Sequence, residues 1–255
     1  MANATLAVLE HQLTAYRRSW RGTVFSSFVL PVLFLLAMGL TVGHYVDARS
    51  AALGMPYLEY IAPGVLASTA LQVAVGESTW PVFSGFTWSR MYHSVRATPV
   101  RISEMIIGQI GYVVLRVGVS AAGFLIVMAI FGAVHSMWAV AALPAAMLLG
   151  LATALPIFAY SATISSDNMF AILFRFAVVP MTLFAGVFFP VEMMPLVPRL
   201  LAYVSPLWHG VELARAATSG HGNPAALAGH AGYLAVWAAV GYVLARASFT
   251  RRLTD

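Results

Sequence analysis

The sequence predicts an all-α polytopic membrane protein with six transmembrane helices, and three observations carry that class. Of its 255 residues 60% are hydrophobic and only 9% charged, whereas a soluble domain carries roughly 25% charged residues. Mean hydropathy is +0.83. The few charges are also spaced so that uncharged stretches lie between them, and a hydrocarbon core about 30 Å thick needs on the order of 20 apolar helical residues.

Each span is read from such a gap. Arg21 to Asp47 encloses 25 uncharged residues centred on Phe28 to Leu36, which gives a first span at about 23–45. Its apolar stretch exceeds the roughly 7–15 residues of a signal-peptide core, and 22 polar or amphipathic residues precede it. The 50 uncharged residues between Arg116 and Asp167 hold two spans, about 106–131 and 138–164, with a tight turn near His135 and Ser136. The gap from Arg215 to Arg246 gives the last span, about 227–245, after the Gly222-Asn223-Pro224 turn. Two shorter gaps, of 17 and 16 residues, give spans at about 61–80 and 169–189, with flanking residues or snorkelling ends completing them. Internal prolines (Pro31, Pro63, Pro144, Pro156, Pro180) do not veto helix, because neighbouring helices satisfy the freed backbone groups.

Arginine placement orients the chain. An even number of spans puts both termini on one side, and ten of the 14 arginines fall on that side against three (Arg49, Arg199, Arg215) on the other, with Arg116 inside the third span. The positive-inside rule then makes both termini cytosolic, in a multi-pass plasma (inner) membrane protein. The net charge of +5 is accordingly a topology signal rather than a nucleic-acid footprint, since no basic cluster is interleaved with base-stacking aromatics. No lysine and no cysteine occur, which excludes a Walker A loop, Schiff-base chemistry, disulfides and thiolate metal sites. If ATP is used, it is hydrolysed on another chain.

Residues 1–22 read as a cytosolic amphipathic interface helix, because Leu6, Leu9, Leu13, Tyr16 and Trp20 recur at spacings of three and four, with Arg17 and other charges mostly elsewhere on the wheel. Such a helix is an orientation anchor or a lever pushed by a partner. Residues 83–101 form the longest cytosolic loop, mixing aromatics with Arg90, Arg96 and Arg101 and ending at Thr98-Pro99, where proline favours a fresh helix start. The loop suits a short surface helix that a soluble partner grips, or a basic loop that only fixes topology. Residues 191–216 are too apolar for an exposed loop yet broken by Pro195, Pro198 and Pro206; a pair of re-entrant helices dipping into the outer leaflet fits both facts. His209 and Glu212 lie one helical turn apart, a spacing usable by a metal, but no third ligand stands at a recognisable distance, so no metal site is assigned. Glu77, Glu104, Arg116 and Asp167 are the ionisable groups near span ends, functional candidates by location. Arg116 either snorkels to the cytosolic face or pairs with Glu77 or Asp167. Gly39 to Gly43 and Gly118 to Gly123 permit close helix approach.

This order of features, with Arg96-Ala-Thr-Pro99 between spans two and three and Gly186-Val-Phe-Phe-Pro190 leading to Ser205-Pro-Leu-Trp-His209 before the last span, resembles the membrane subunit of type-2 ATP-binding-cassette exporters, the permease family that includes the nodulation-factor (lipooligosaccharide) and daunorubicin exporters. The resemblance covers nearly the whole chain. It implies a coupling helix within 83–101 that contacts the nucleotide-binding subunit, with Phe83, Phe86, Arg90, Tyr92, Arg96, Thr98 and Pro99 as coupling residues. It implies an interface helix carried by Leu13, Tyr16, Arg17 and Trp20, and outer re-entrant helices near the exit with Phe188, Phe189, Pro190, Pro206 and His209. ATP and Mg are then bound by a separate ABC ATPase, this chain has no catalytic site, and a second permease, identical or a sister chain, completes the pathway among membrane lipids. The expected function is outward movement of an amphiphilic cargo such as a lipid-linked saccharide, glycolipid or hydrophobic drug. Two other classes stay open: a secondary, ion-gradient-driven drug transporter, which needs mid-membrane ionisable groups, and an intramembrane enzyme, for which no His-Glu-x-x-His or paired-carboxylate constellation is present.

Overall fold

The computed structural model describes residues 4–38 and 55–254, with side chains of the first helix described at 5–14, 16–17, 29 and 32–38. The Gly39 to Gly43 pair, the end of the first span and Arg49 lie outside the described residues, as does the side chain of Trp20.

Every element is helical among the described residues. Helix α1 (Ala4–Ala37) is followed by α2 (Tyr57–Ser78), α3 (Trp80–Thr87), the short α4 (Met91–Arg96) and the long α5 (Ile102–Ile130). A 3-10 turn (Met137–Ala141) leads into α6 (Ala142–Thr163). The next helical stretch is composite: a 3-10 turn (Asp167–Met169), α7 (Phe170–Leu173), a π turn (Phe174–Val178) and α8 (Val179–Phe184). Then come α9 (Leu196–Val204), α10 (Pro206–Ser219) and α11 (Pro224–Thr254).

Local sequence sets the boundaries. The Ser136 hydroxyl accepts the Trp138 N–H (3.1 Å), and the Ser205 hydroxyl accepts that of Leu207 (3.2 Å) with Pro206 in the first turn of α10. The Asn223 side chain does the same for Ala225 (3.0 Å) where α11 begins. The Arg101 N–H donates to the Glu104 carboxylate at 2.7 Å, one half of a capping box. Pro180 has no N–H and its ring crowds the carbonyl four residues back, which accounts for the wider π turn just before it.

Among the described residues, five stretches are long and apolar enough to cross a membrane: 57–87, 102–130, 137–163, 167–184 and 224–254. They overlap the sequence-derived spans two to six, with differences that have local causes. The second does not stop at residue 80. It bends at Thr79, whose hydroxyl bonds back to the Val75 carbonyl (3.0 Å), and continues through α3, so Phe83 and Phe86 belong to the span's own end rather than to a loop. The fifth ends at Phe184, because Gly186 takes φ +73°, and residues 186–189 are non-helical. The last runs on to Thr254. Helix α1 joins the predicted interface segment and the described part of the first span without a break.

Helix α6 is the hub, packing along α11, α2, α5 and α10, while α1 lies on α5. It crosses α11 tightly at Gly241, where a Cβ would come within 2.6 Å of the Pro156 ring; glycine lets the two helices approach this far. Outward-facing Ile130, Phe176 and Val243 are exposed, as expected of surfaces solvated by lipid rather than water.

Candidate functional site

The segment after α3 forms a compact aromatic knot. Arg90 adopts the left-handed conformation (φ 50°) and turns the chain back so that α4 lies against the ends of α3 and α11. The Tyr92 ring is 1% exposed, 4.6 Å from Phe86 and 5.3 Å from Phe249. Phe249, itself fully buried, also meets Phe86 at 4.8 Å and Phe158 at 6.3 Å. Gly85 makes the space: a Cβ there would stand 2.4 Å from the Tyr92 ring. Burial pushes the Tyr92 phenol well above its ordinary pKa, and its hydroxyl has no partner among the described residues.

Arg252, one turn beyond Phe249, fastens the same corner. Its guanidinium donates to the carbonyls of Ala162 (2.9 Å) and Ile164 (2.7 Å) at the end of α6 and to the Thr87 hydroxyl (3.1 Å), and it lies 5.1 Å above the Phe86 ring. A cation on the last carbonyls of a helix satisfies acceptors with no partner within the helix. Phe83 packs on Phe170 (5.9 Å) and Trp88 (5.7 Å). Of the predicted coupling residues, then, Phe83, Phe86 and Tyr92 are buried, whereas Arg90, Arg96, Thr98 and Pro99 are exposed, together with Trp88 and His93. Sequence reasoning missed Phe249 and Arg252; the i, i+3 pairing of an aromatic with an arginine at the chain end is a signal too common to single them out.

The interface segment makes a separate joint. Leu13 and Tyr16 face α5 and Arg17 is exposed. Gln12 bonds to Gln109, and the Tyr16 ring meets Tyr112 edge-on at 6.2 Å. Arg116 lies 4.5 Å above the Tyr16 ring and donates through Nε (3.1 Å) and Nη2 (2.8 Å) to Glu77. Of the alternatives left open for Arg116, the structure selects Glu77. Glu104 caps α5, and Asp167 sits in the first turn of the fifth span, where a carboxylate complements the helix dipole.

At the opposite end, Phe188 packs on Phe34 (6.1 Å) and its carbonyl accepts the Tyr57 hydroxyl (3.3 Å). Phe189 is exposed, Pro190 precedes a 3-10 turn and Pro206 is buried in α10. Arg215 binds Glu212 (2.6 Å) and the Gly186 carbonyl (2.8 Å) and covers the Tyr60 ring at 4.2 Å. Glu212 is thus an ion-pair partner. His209 instead meets His230, Nδ1 to Nδ1 at 2.8 Å, its Nε2 reaching the Tyr203 carbonyl at 3.0 Å. A carbonyl only accepts, so Nε2 carries hydrogen and His209 Nδ1 accepts from His230 Nδ1–H. The His209 ring stacks on Tyr233 (3.9 Å) with Trp208 at its edge (4.8 Å). Burial holds its pKa below the ordinary histidine value, the backbone bond opposing and His230 adding to that shift. Among the described residues no group of three His, Asp or Glu converges as a metal site would require.

The described residues thus form a bundle of apolar helices with a braced basic surface at one end and two short helices at the other, an architecture that suits a membrane subunit. Residues 3–218 match the ABC-2 type transporter family, and the chain belongs to it, as a multi-pass membrane permease. It is similar to Nodulation protein J of Rhizobium leguminosarum bv. viciae, 25% identical over 97% of this chain and 94% of the relative. The proteins of that name from R. leguminosarum bv. trifolii and Rhizobium meliloti (strain 1021) are each 24% identical over 97% of this chain and 93% of theirs.

Proposed function

We propose that this chain is the membrane half of an ABC exporter that moves an amphiphilic cargo, of the lipid-linked saccharide or glycolipid class, from the cytosolic leaflet outward. ATP and Mg are bound by a separate ATPase subunit, and a second permease, a copy or a sister chain, completes the pathway. Six spans place both termini in the cytosol, with α9 and α10 dipping into the outer leaflet. The near full-length similarity to Nodulation protein J supports the cargo class.

The observation that carries the coupling part is the bracing of α4. Its exposed face offers Arg90, His93 and Arg96, while its buried face, through Tyr92, is keyed to Phe249 of the last helix. The division of labour refines the expected coupling set: exposed arginines meet the ATPase, and buried aromatics pass its movement on. Closure of the ATPase subunits pushes α4, and Tyr92 and Phe86 transmit the displacement to α11 and, through Arg252, to the end of α6. The α1 joint at Arg116 and Glu77 gives a second, independent contact with α5.

Affinity purification from a host expressing the chain with its cognate ATPase tests this reading. The ATPase copurifies with the wild type and is lost from Arg90→Ala/Arg96→Ala, which still inserts; equal recovery with both would refute α4 as the docking surface.

A further inference from the structure

Arg96 at the end of α4, Arg101 before α5 and Arg246 on α11 wall one open cavity of about 550 Å³, with Thr98, Ser103 and Thr250. All three arginines are exposed. None has a carboxylate partner among the described ion pairs, which join Arg116 to Glu77, His135 to Glu59 and Arg215 to Glu212. Glu104 has its carboxylate on the Arg101 backbone N–H, and the start of α5 contributes further positive potential. Thr98 and Thr250 donate their hydroxyl hydrogens to the carbonyls of Val95 and Arg246, so the donors offered to a ligand are guanidinium groups, whose planar fork matches phosphate oxygens.

A second cavity shares Arg246 and Thr250 and continues along α11 past Ala247 to Tyr242 and Val243. From there Val236, Val240 and Val243, exposed by 65%, 54% and 65%, form one apolar stripe at helical spacing. The stripe ends beside the arginines. Free phosphate would use the arginines and leave the stripe idle; an acidic protein surface would do the same. A molecule with an anionic head and an apolar tail uses both, and basic pockets between helices at the cytoplasmic face are where acidic headgroups bind.

We propose that this groove binds an anionic phospholipid, its phosphate between Arg101 and Arg246 and an acyl chain along the Val236, Val240 and Val243 stripe. The lipid neutralises two like charges on one cavity wall and ties the start of α5 to α11 at the membrane plane. Native mass spectrometry of the full chain in mild detergent tests this by titration with phosphatidylglycerol, phosphatidylcholine or inorganic phosphate. Phosphatidylglycerol binds in preference to phosphatidylcholine, and Arg101→Gln and Arg246→Gln each weaken it about fivefold, the effect of one arginine near an acidic headgroup. Arg246→Lys, which keeps the charge, retains most of the binding, and Arg175→Gln, on the fifth span, leaves it unchanged. Equal uptake of the two lipids, displacement of phosphatidylglycerol by inorganic phosphate at equal concentration, or undiminished binding by the two Gln variants would each overturn the proposal.

Discussion

Glu77 and Arg116 join α2 to α5 through one ion pair, their side chains only 20% and 11% exposed, and Arg116 also lies over the Tyr16 ring of α1. A pair this sheltered does little for stability as a pair but leaves an unbalanced charge when one member is removed, at a cost of about 3 kcal/mol. Glu77→Gln and Arg116→Met should each lower the thermal midpoint in detergent, and the double variant should be less damaged than the two effects added; strict additivity would show that the contact carries no coupling. His209 makes a second prediction. It is neutral in the fold and its pKa is held down, so the unfolded state binds more protons at low pH and stability falls as pH drops from about 6.5 through the lowered value. A second proton would also set two Nδ1–H groups against each other. The thermal midpoint of the wild type should fall below about pH 6.5, and that of His209→Gln should be lower at pH 8 and flatter with pH; parallel curves would contradict the assignment. Little of this was legible in the sequence. Arg116 was visible as a charge inside the third span, but its choice of Glu77 over Asp167 depends on how α2 and α5 are packed, and His209 and His230 are 21 residues apart on different helices.

Among the elements, spans two to six were legible because charge is too costly in hydrocarbon to be placed carelessly, so gaps between charges mark helices. Their ends were less so. The second span overran residue 80 because Thr79, between α2 and α3, bends the helical path without ending it, and the fifth span stopped short before Gly186, whose backbone conformation no apolar count reveals. The pair of short helices in 191–216 was readable from its prolines. The keying of α4 to α11 was not, since it joins Tyr92 to Phe249 across more than half the chain. It predicts that Gly85→Ala, which drives a methyl into the Tyr92 ring, costs about 1–3 kcal/mol and weakens transport more than it weakens ATPase binding. Phe249→Ala opens a cavity worth about 3–5 kcal/mol with the same split, while Phe249→Leu restores most of the transport. Transport and ATPase binding falling together in Gly85→Ala would make the knot a folding element only.

The whole molecule consists of apolar helices packed around α6, with an exposed basic surface at the α4 corner and two short helices at the other end. Composition already implied the division of labour, since a chain without lysine has no Walker A loop and an ATP-driven role needs a partner. The central claim is that ATP hydrolysed on that partner moves cargo through this chain by way of α4. The most direct test is transport of a fluorescent lipid-linked saccharide into inverted proteoliposomes containing the permease, with and without its ATPase. Uptake should require both proteins and ATP, and Arg90→Ala/Arg96→Ala should abolish it while the permease stays inserted. Uptake by the permease alone under a proton gradient, or ATP-driven uptake undiminished by that double substitution, would contradict it.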